Sequence, residues 1–365
     1  MMNLIVCSTP QGGHIEHALN LAAAMVTRSK MDVVVLTRSG AGDYMHGKLP
    51  ERVRLIEIFA AADLSYADGL SKRVRTFMKE NYRLLCWSRT AGVINVVLFE
   101  EPRFPVLSLV RANRKVLFAH NAKMHASGAL SIRTRLKEWL QIRLINSCHA
   151  VITHGNQQAK LLSSLVPKST VATVPLPTIG WVEQTRQLVD KSTNDNENYL
   201  LAIGEIRWNK GFDLAARAAV KLGLAIKVAG KVIDADQDEA LKSLQESSPD
   251  LVHYTPGFLD QNLFESLVRN ASVIVLPYRE FQAQSGIIEH ARRHQKPVVC
   301  SDLPSLLEQC GSDWPVWFKN GDSSDLESAL LRAMSKEIDI RDLKTDSSWE
   351  AVADAVLGET FSEAF

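Results

Sequence analysis

The sequence predicts two α/β domains, each a doubly wound parallel sheet covered on both faces by helices, facing each other across a cleft. Three observations carry this reading. Short, wholly apolar runs alternate with longer amphipathic segments, the pattern of strands buried on both sides. The rhythm breaks once, near the middle of the 365 residues, and then restarts, which suits a chain long enough for about two domains. The first turn of each half places glycines between a strand and a helix, where such folds bind ligands.

The apolar runs of the first half are Leu4–Cys7, Val33–Leu36, Arg54–Ile58, Val96–Leu98, Val116–Ala119 and Ala150–Thr153. Between the first two, His17, Ala18, Leu21, Ala22 and Met25 recur at helical spacing. The first domain is read as 1–178. A linker over 179–198 follows, ending in the polar stretch Lys191–Asn198. The second domain, from 199, restarts with Tyr199–Ile203, Ala225–Ala229, Val252–Tyr254, Val273–Leu276 and Pro297–Cys300 as strands.

Composition is that of a globular protein, 46% hydrophobic and 23% charged, and no apolar run approaches the ~18 residues of a membrane span. The opening Met1–Cys7 reads as a first strand and lacks the basic flank of a signal peptide. Five scattered cysteines show no metal-ligand or redox spacing, which points to a reducing, cytoplasmic setting. The net charge of +1 conceals an asymmetry: 23 Lys+Arg against 11 Asp+Glu up to Thr178 leave that half at +12 and the remainder at −11. A basic first half suits an anionic membrane surface or an anionic acceptor. Two stretches that mix cations with large apolar groups, Lys72–Lys79 and Arg133–Trp139, fit helices lying on such a surface, and equally fit packed helices with a solvated basic face. Nucleic acid is not expected, because the sequence carries no zinc-finger spacing, RRM signature or basic run interleaved with aromatics.

The first βα turn contains Gly12-Gly13, which brings backbone amides towards an anion at a helix N-terminus; a plain tight turn would use the same residues. It is not a dinucleotide fingerprint, since Thr37-Arg38-Ser39-Gly40 offers no acid for a ribose. In the second half, Arg207 and Lys210 stand three residues apart between a strand and the helix Phe212–Leu222, where both suit a diphosphate and would stabilise the charge of a departing nucleoside diphosphate. Gln284-Ser285-Gly286-Ile287 opens a helix over Ile288–His294, with unpaired amides for a phosphate or with Ser285 as an ordinary cap. Asp234-Ala-Asp236 has the form of a D-x-D metal motif but sits in an acidic helix start, so no metal and no other cofactor is expected.

Taken in order, these segments resemble glycosyltransferase family 4, within the GT-B fold of two Rossmann-like domains. Gly204-x5-Lys210-Gly211 is similar to that family's phosphate loop, and Gly257-Phe258-Leu259 to the loop touching the donor base. Pro277-Tyr278-Arg279-Glu280, Ser285-Gly286 and Lys296-Pro297-Val298-Val299 follow in the family's order. Phe118-Ala119-His120 and Ala150–His154 match strands of the first domain. Ser348–Ala353 resembles the terminal helix that crosses back to it, which ends the second domain at 345 and gives 346–365 to the first. The sequence departs from the pattern at Glu205, where arginine is usual, and at Gln282 and His290, where glutamates are usual.

The resemblance implies a glycosyltransferase moving a hexosyl-type group from a UDP- or GDP-sugar, with retention, to a saccharide or polyprenyl-linked saccharide acceptor in surface polysaccharide or glycolipid synthesis. It implies catalytic roles for Arg207, Lys210 and His120, the last contacting the transferred sugar. Donor contacts are expected from Gly12, Gly13, Gly257, Phe258, Leu259, Gln282, Gln284, Ser285, Gly286, Ile287 and Glu289, with Glu289 on ribose or sugar hydroxyls. The alternatives are a catalytically silent GT-B protein that binds saccharide or scaffolds a partner, and a nucleotide-sugar epimerase.

Overall fold

A computed structural model describes residues 1–44, 49–60, 70–90, 92–99, 105–119, 139–140, 142–165, 169–178, 180, 182, 198–311, 314–335 and 347–358. The chain divides into two compact units: Met1–Asp190 with Asp346–Phe365, and Lys191–Thr345. Most of the expected linker lies outside the described residues, as do His120 and residues 133–138 of the second basic stretch.

Unit 1 is built on a seven-stranded parallel sheet of order β3-β2-β1-β4-β5-β6-β7. Its strands are β1 (Met2–Val6), β2 (Asp32–Arg38), β3 (Val53–Phe59), β4 (Val93–Leu98), β5 (Arg114–Phe118), β6 (Ala150–Thr153) and β7 (Thr170–Thr173). The described helices are α1 (Gly13–Ser29), α2 (Ala41–Tyr44), α3 (Leu70–Ser88) and α4 (Asn156–Leu165). Alternation along each strand splits the core in two: Ile5, Val35, Val97 and Ile152 pack with α1 on one face, and Leu4, Leu36, Leu98 and Val151 on the other. That double burial is why these strands read as continuous apolar runs.

Unit 2 carries a six-stranded parallel sheet of order β10-β9-β8-β11-β12-β13. The strands are β8 (Leu200–Ile203), β9 (Ile226–Gly230), β10 (Val252–Pro256), β11 (Val273–Leu276), β12 (Val298–Ser301) and β13 (Val316–Phe318). Its helices are α5 (Phe212–Leu222), α6 (Ala235–Ser247), α7 (Gln261–Asn270), α8 (Gly286–Arg293), α9 (Pro304–Cys310) and α10 (Ser323–Ser335). A final helix, α11 (Trp349–Leu357), belongs to unit 1. Ser348 caps it, Val352 and Val356 join the α1 core, and Asp354 accepts two hydrogen bonds from Arg28 of α1 at 2.5 and 2.6 Å.

Every strand read from the apolar runs is present within a few residues. The two strands not anticipated, β7 and β13, are sheet edges of 4 and 3 residues with partly exposed positions. β7 is half threonine, and β13, although apolar throughout, is only three residues long, too short to stand out as a strand.

In both sheets the strand order reverses at one point, between β1 and β4 in unit 1 and between β8 and β11 in unit 2. In open α/β sheets the loops at the carboxyl ends of such strands form the ligand crevice. Gly12-Gly13 follows β1, Gly204–Gly211 follows β8, and Pro277–Ser285 follows β11.

Glycine is obligatory where neighbouring strand ends crowd. Gly230 has φ +148°, and a Cβ there would stand 1.7 Å from the carbonyl oxygen of Gly204. Gly230→Ala is therefore expected to lower the stability of unit 2 by about 3 kcal/mol or more. Gly13→Ala, with nothing within 4 Å of the added Cβ, is expected to stay within about 0.5 kcal/mol of the wild type. Denaturant titration followed by circular dichroism separates the two.

Candidate anion site at the switch points of the sheets

Unit 2 concentrates the chemistry. After β8 the chain makes a 3₁₀ turn, Trp208–Lys210, and closes it at Gly211 in the left-handed region, φ +65°. A Cβ on Gly211 would lie 2.0 Å from the carbonyl oxygen of Pro277, so the β8 loop is pressed against the β11 loop with no room for a side chain. Arg279 fastens the two. Its guanidinium donates to both carboxylate oxygens of Asp213 in α5 at 2.9 and 2.8 Å and to the carbonyl of Trp208 at 2.7 Å. Its backbone N–H donates to the carbonyl of Asn209 at 2.9 Å.

This clasp places Lys210 over aromatic faces, its Nζ 3.9 Å from the ring centroid of Tyr278 and 4.3 Å from that of Phe281. Among the described residues it forms no ion pair. The residue keeps partial exposure while its ammonium end is surrounded by protein. Burial pushes its pKa down to about 7; the Glu205 carboxylate opposes that shift and the Arg207 charge adds to it.

Arg207 lies apart from Lys210 in its bonding. Its Nε stands 2.8 Å from Glu205 Oε2, an ion pair whose alignment falls short of a hydrogen bond. The pair is half exposed, so it is worth only about 0.2–1 kcal/mol, and a multiply charged anion competes with Glu205 for the guanidinium. Glu205 is thus an internal counter-charge to two cations.

The third component is the N-terminus of α8. Ser285 occupies the cap position, but its side chain does not cap the helix. Its Oγ shares a 3.2 Å hydrogen bond with the buried Tyr278 hydroxyl. Gly286 is exposed, with nothing within 4 Å of an added Cβ. Two preceding helices are capped by side chains: Asp234 caps α6 through the amides of Asp236 and Gln237, and Asp260 caps α7 through that of Leu263. Asp234 also accepts the backbone N–H of Trp208 at 3.3 Å, so the D-x-D segment serves as a helix cap and a loop anchor.

Glu289 is engaged by other side chains of unit 2. It is buried in α8, accepts from Gln309 Nε2 at 2.9 Å and pairs with Arg292 at 3.3 Å. His290 turns instead towards α7, against Phe264 and beside Glu265, a buried carboxylate that also accepts from Arg293 and His294, both at 2.6 Å. Hydrogen bonds from His290 and His294 and the charge of Arg293 hold Glu265 well below the ordinary carboxylate range against its burial. Gln282 is exposed and Gln284 and Ile287 are half-buried. After β10, Gly257 donates its N–H to Gly230 at 2.8 Å, Leu259 packs on the core, and Phe258 stays 54% exposed, a free ring face suited to a planar base.

In unit 1, Gly12 sits at the start of α1 with φ +81° and no side-chain cap, and neither Gly12 nor Gly13 has an atom within 4 Å of an added Cβ. The turn is held from behind by Arg38, which is buried, donates to the Ser8 carbonyl at 2.8 Å and pairs with Glu80 of α3 at 3.0 Å. The tertiary structure thus adds Tyr278, Arg279, Asp213 and Gln309 to the residues read from the sequence. Tyr278 and Arg279 stand within a quoted motif, but nothing local marks Asp213 or Gln309.

No family model and no curated protein matches the chain in sequence. Solved structures match it along nearly its whole length. Sucrose-phosphate synthase from Thermosynechococcus elongatus is 17% identical with a TM-score of 0.74, covering 99% of this chain and 98% of that one. The catalytic domain of starch synthase IV from Arabidopsis thaliana, bound to ADP and acarbose, is 12% identical with a TM-score of 0.69, covering 98% of each chain. Anabaena HepE in complex with UDP and glucose is 13% identical with a TM-score of 0.64, covering 98% of this chain and 96% of that one. These neighbours are GT-B glycosyltransferases, and the chain has their fold: two parallel-sheet α/β domains.

The Lys210 ammonium is expected to titrate with a midpoint of about 7. Glu205→Gln should move that midpoint lower, because Glu205 favours the charged form. NMR titration of the side chain, assigned with Lys210→Met, checks both.

Proposed function

We propose that the protein is a glycosyltransferase that binds the diphosphate of a UDP- or GDP-sugar in unit 2 and transfers the sugar, with retention, to a saccharide or lipid-linked saccharide. One observation carries this reading: a lysine ammonium without an ion-pair partner among the described residues lies beside a helix N-terminus whose cap is turned away, both held by Tyr278. A cation and unpaired amides converging at a switch point suit a diphosphate. The fold shared with sugar-transferring enzymes, two of them with ADP or UDP bound, supports the same class.

In the proposed reaction the anomeric C–O bond to the diphosphate breaks and a new C–O bond to the acceptor forms, with the acceptor proton passing to the diphosphate. Lys210 and Arg207 offset the charge that accumulates on the leaving group. Phe258 would stack on the base, and the Gly12-Gly13 turn offers further amides for an anion.

Because burial holds Lys210 near neutrality, binding a diphosphate above pH 7 is expected to draw a proton onto it. Affinity should then fall as pH rises from about 7 towards the ordinary lysine value, about 10.4. Calorimetry with UDP, GDP and ADP in buffers of different ionisation enthalpy measures the uptake, and Lys210→Met should abolish it. Slow donor hydrolysis lost in Lys210→Ala supports a transferase. Nucleotide binding without turnover of any donor favours a silent binding protein, and epimerisation without acceptor refutes the transferase reading.

We further propose that unit 1 meets its acceptor at an anionic lipid surface through α3. Val74, Met78 and Tyr82 fall on one face at four-residue spacing, with Phe77 beside them, and Met78 and Tyr82 are 62% and 68% exposed. Lys72, Arg75, Lys79 and Arg83 are exposed around this stripe, while the helix's one acid, Glu80, is buried against Arg38. No described helix is long and apolar enough to cross a membrane, so this contact would be interfacial. Vesicles containing phosphatidylglycerol should sediment the protein and pure phosphatidylcholine vesicles should not. Lys79→Glu should weaken the partitioning by at least about fivefold. Equal binding to both vesicle types would overturn this assignment.

A further inference from the structure

Ser285 stands at the cap position of α8 in an extended backbone, φ −92° and ψ 118°. Serine there is among the strongest helix caps when its Oγ accepts an amide of the first turn. Here it caps nothing. Tyr278, fully buried, engages the Oγ at 3.2 Å. Gln309, on α9 and 24 residues away in sequence, engages the backbone of the same residue on both sides. Its Oε1 accepts the Ser285 N–H at 2.7 Å, and its Nε2 donates to the Ser285 carbonyl at 3.0 Å and to Glu289 Oε1 at 2.9 Å. Gln309 is anchored in turn by Arg292, whose Nη2 donates to its carbonyl at 2.6 Å and whose guanidinium stacks on Trp314 at 5.1 Å.

We infer that Tyr278 and Gln309 are positioning residues that withhold the Ser285 cap from α8, so that the Ile287 amide stays available to a phosphate beside Lys210. This rests on the donor reading above. The cost of an uncapped helix end is met inside unit 2, through one shared hydroxyl bond and one buried amide. The same Tyr278 ring lies beneath the Lys210 ammonium at 3.9 Å, so one side chain sets both the cation and the helix end. Glu289 then acts through Gln309: buried at 6% exposure, it accepts one amide proton and fixes which way round the amide sits.

Removing the phenolic hydroxyl tests this in the free protein. In Tyr278→Phe the released Ser285 Oγ turns to cap α8. Hydrogen exchange at the Ile287 amide, followed by NMR without nucleotide, should slow about fivefold or more, the effect of a cap of ordinary strength. In Tyr278→Phe/Ser285→Ala exchange should return to the wild-type rate, and Ser285→Ala alone should leave it unchanged. UDP or GDP affinity should be about fivefold weaker in Tyr278→Phe than in the wild type. Gln309→Met should weaken binding without rescue by Ser285→Ala, since it frees the backbone and not the side chain. Unchanged exchange in Tyr278→Phe, or failure of the double variant to restore it while its melting temperature matches the wild type, overturns the proposal. Exchange behaving as expected with no nucleotide bound by any variant instead overturns the donor reading and leaves the withheld cap standing.

Discussion

The bidentate pair between Arg279 and Asp213 is the interaction on which the rest of the site depends. It joins the first turn of α5, directly after the β8 loop, to the loop after β11 at the point where the strand order reverses. Both side chains are largely buried, so removing either partner would strand a charge in protein. With the loops pinned, Gly211 meets Pro277, Lys210 meets Tyr278, and Tyr278 meets Ser285. Each contact constrains the next, and the chain of contacts ends at the first turn of α8.

Charge in unit 2 is arranged so that the cations remain available. Acids that could neutralise the loop are engaged elsewhere: Asp213 by Arg279, Asp234 by backbone amides, Glu265 by Arg293 and His294, Glu289 by Arg292 and Gln309. Among the described residues Arg207 pairs with Glu205 alone, and that half-exposed pair is weak. Unit 1 follows a similar logic with fewer parts. Arg38 and Glu80 neutralise each other beneath the first turn, and the bond from Arg38 to Ser8 holds that turn in place.

Much of the site was legible because phosphate-binding turns are local. Gly204, Lys210 and Gly211 fall within eight residues, and Ser285-Gly286 directly begins a helix, so spacing alone brings them to strand ends. Glu289 and His290 were less legible. One position along a helix is a rotation of about 100°, so their neighbours, Gln309 for one and Glu265 for the other, are set by which helix packs on which face.

The sequence by itself determined the two sheets, the helices between them and the turns that bear glycine and lysine, because burial on both faces of a parallel sheet leaves a direct mark in composition. Only the tertiary structure decided which charges are free and which helix ends are capped. Those properties depend on partners far apart along the chain, such as Arg279 with Asp213 and Gln309 with Ser285. A hydrogen bond between residues 24 or more positions apart leaves no period in the sequence, whereas a buried strand does.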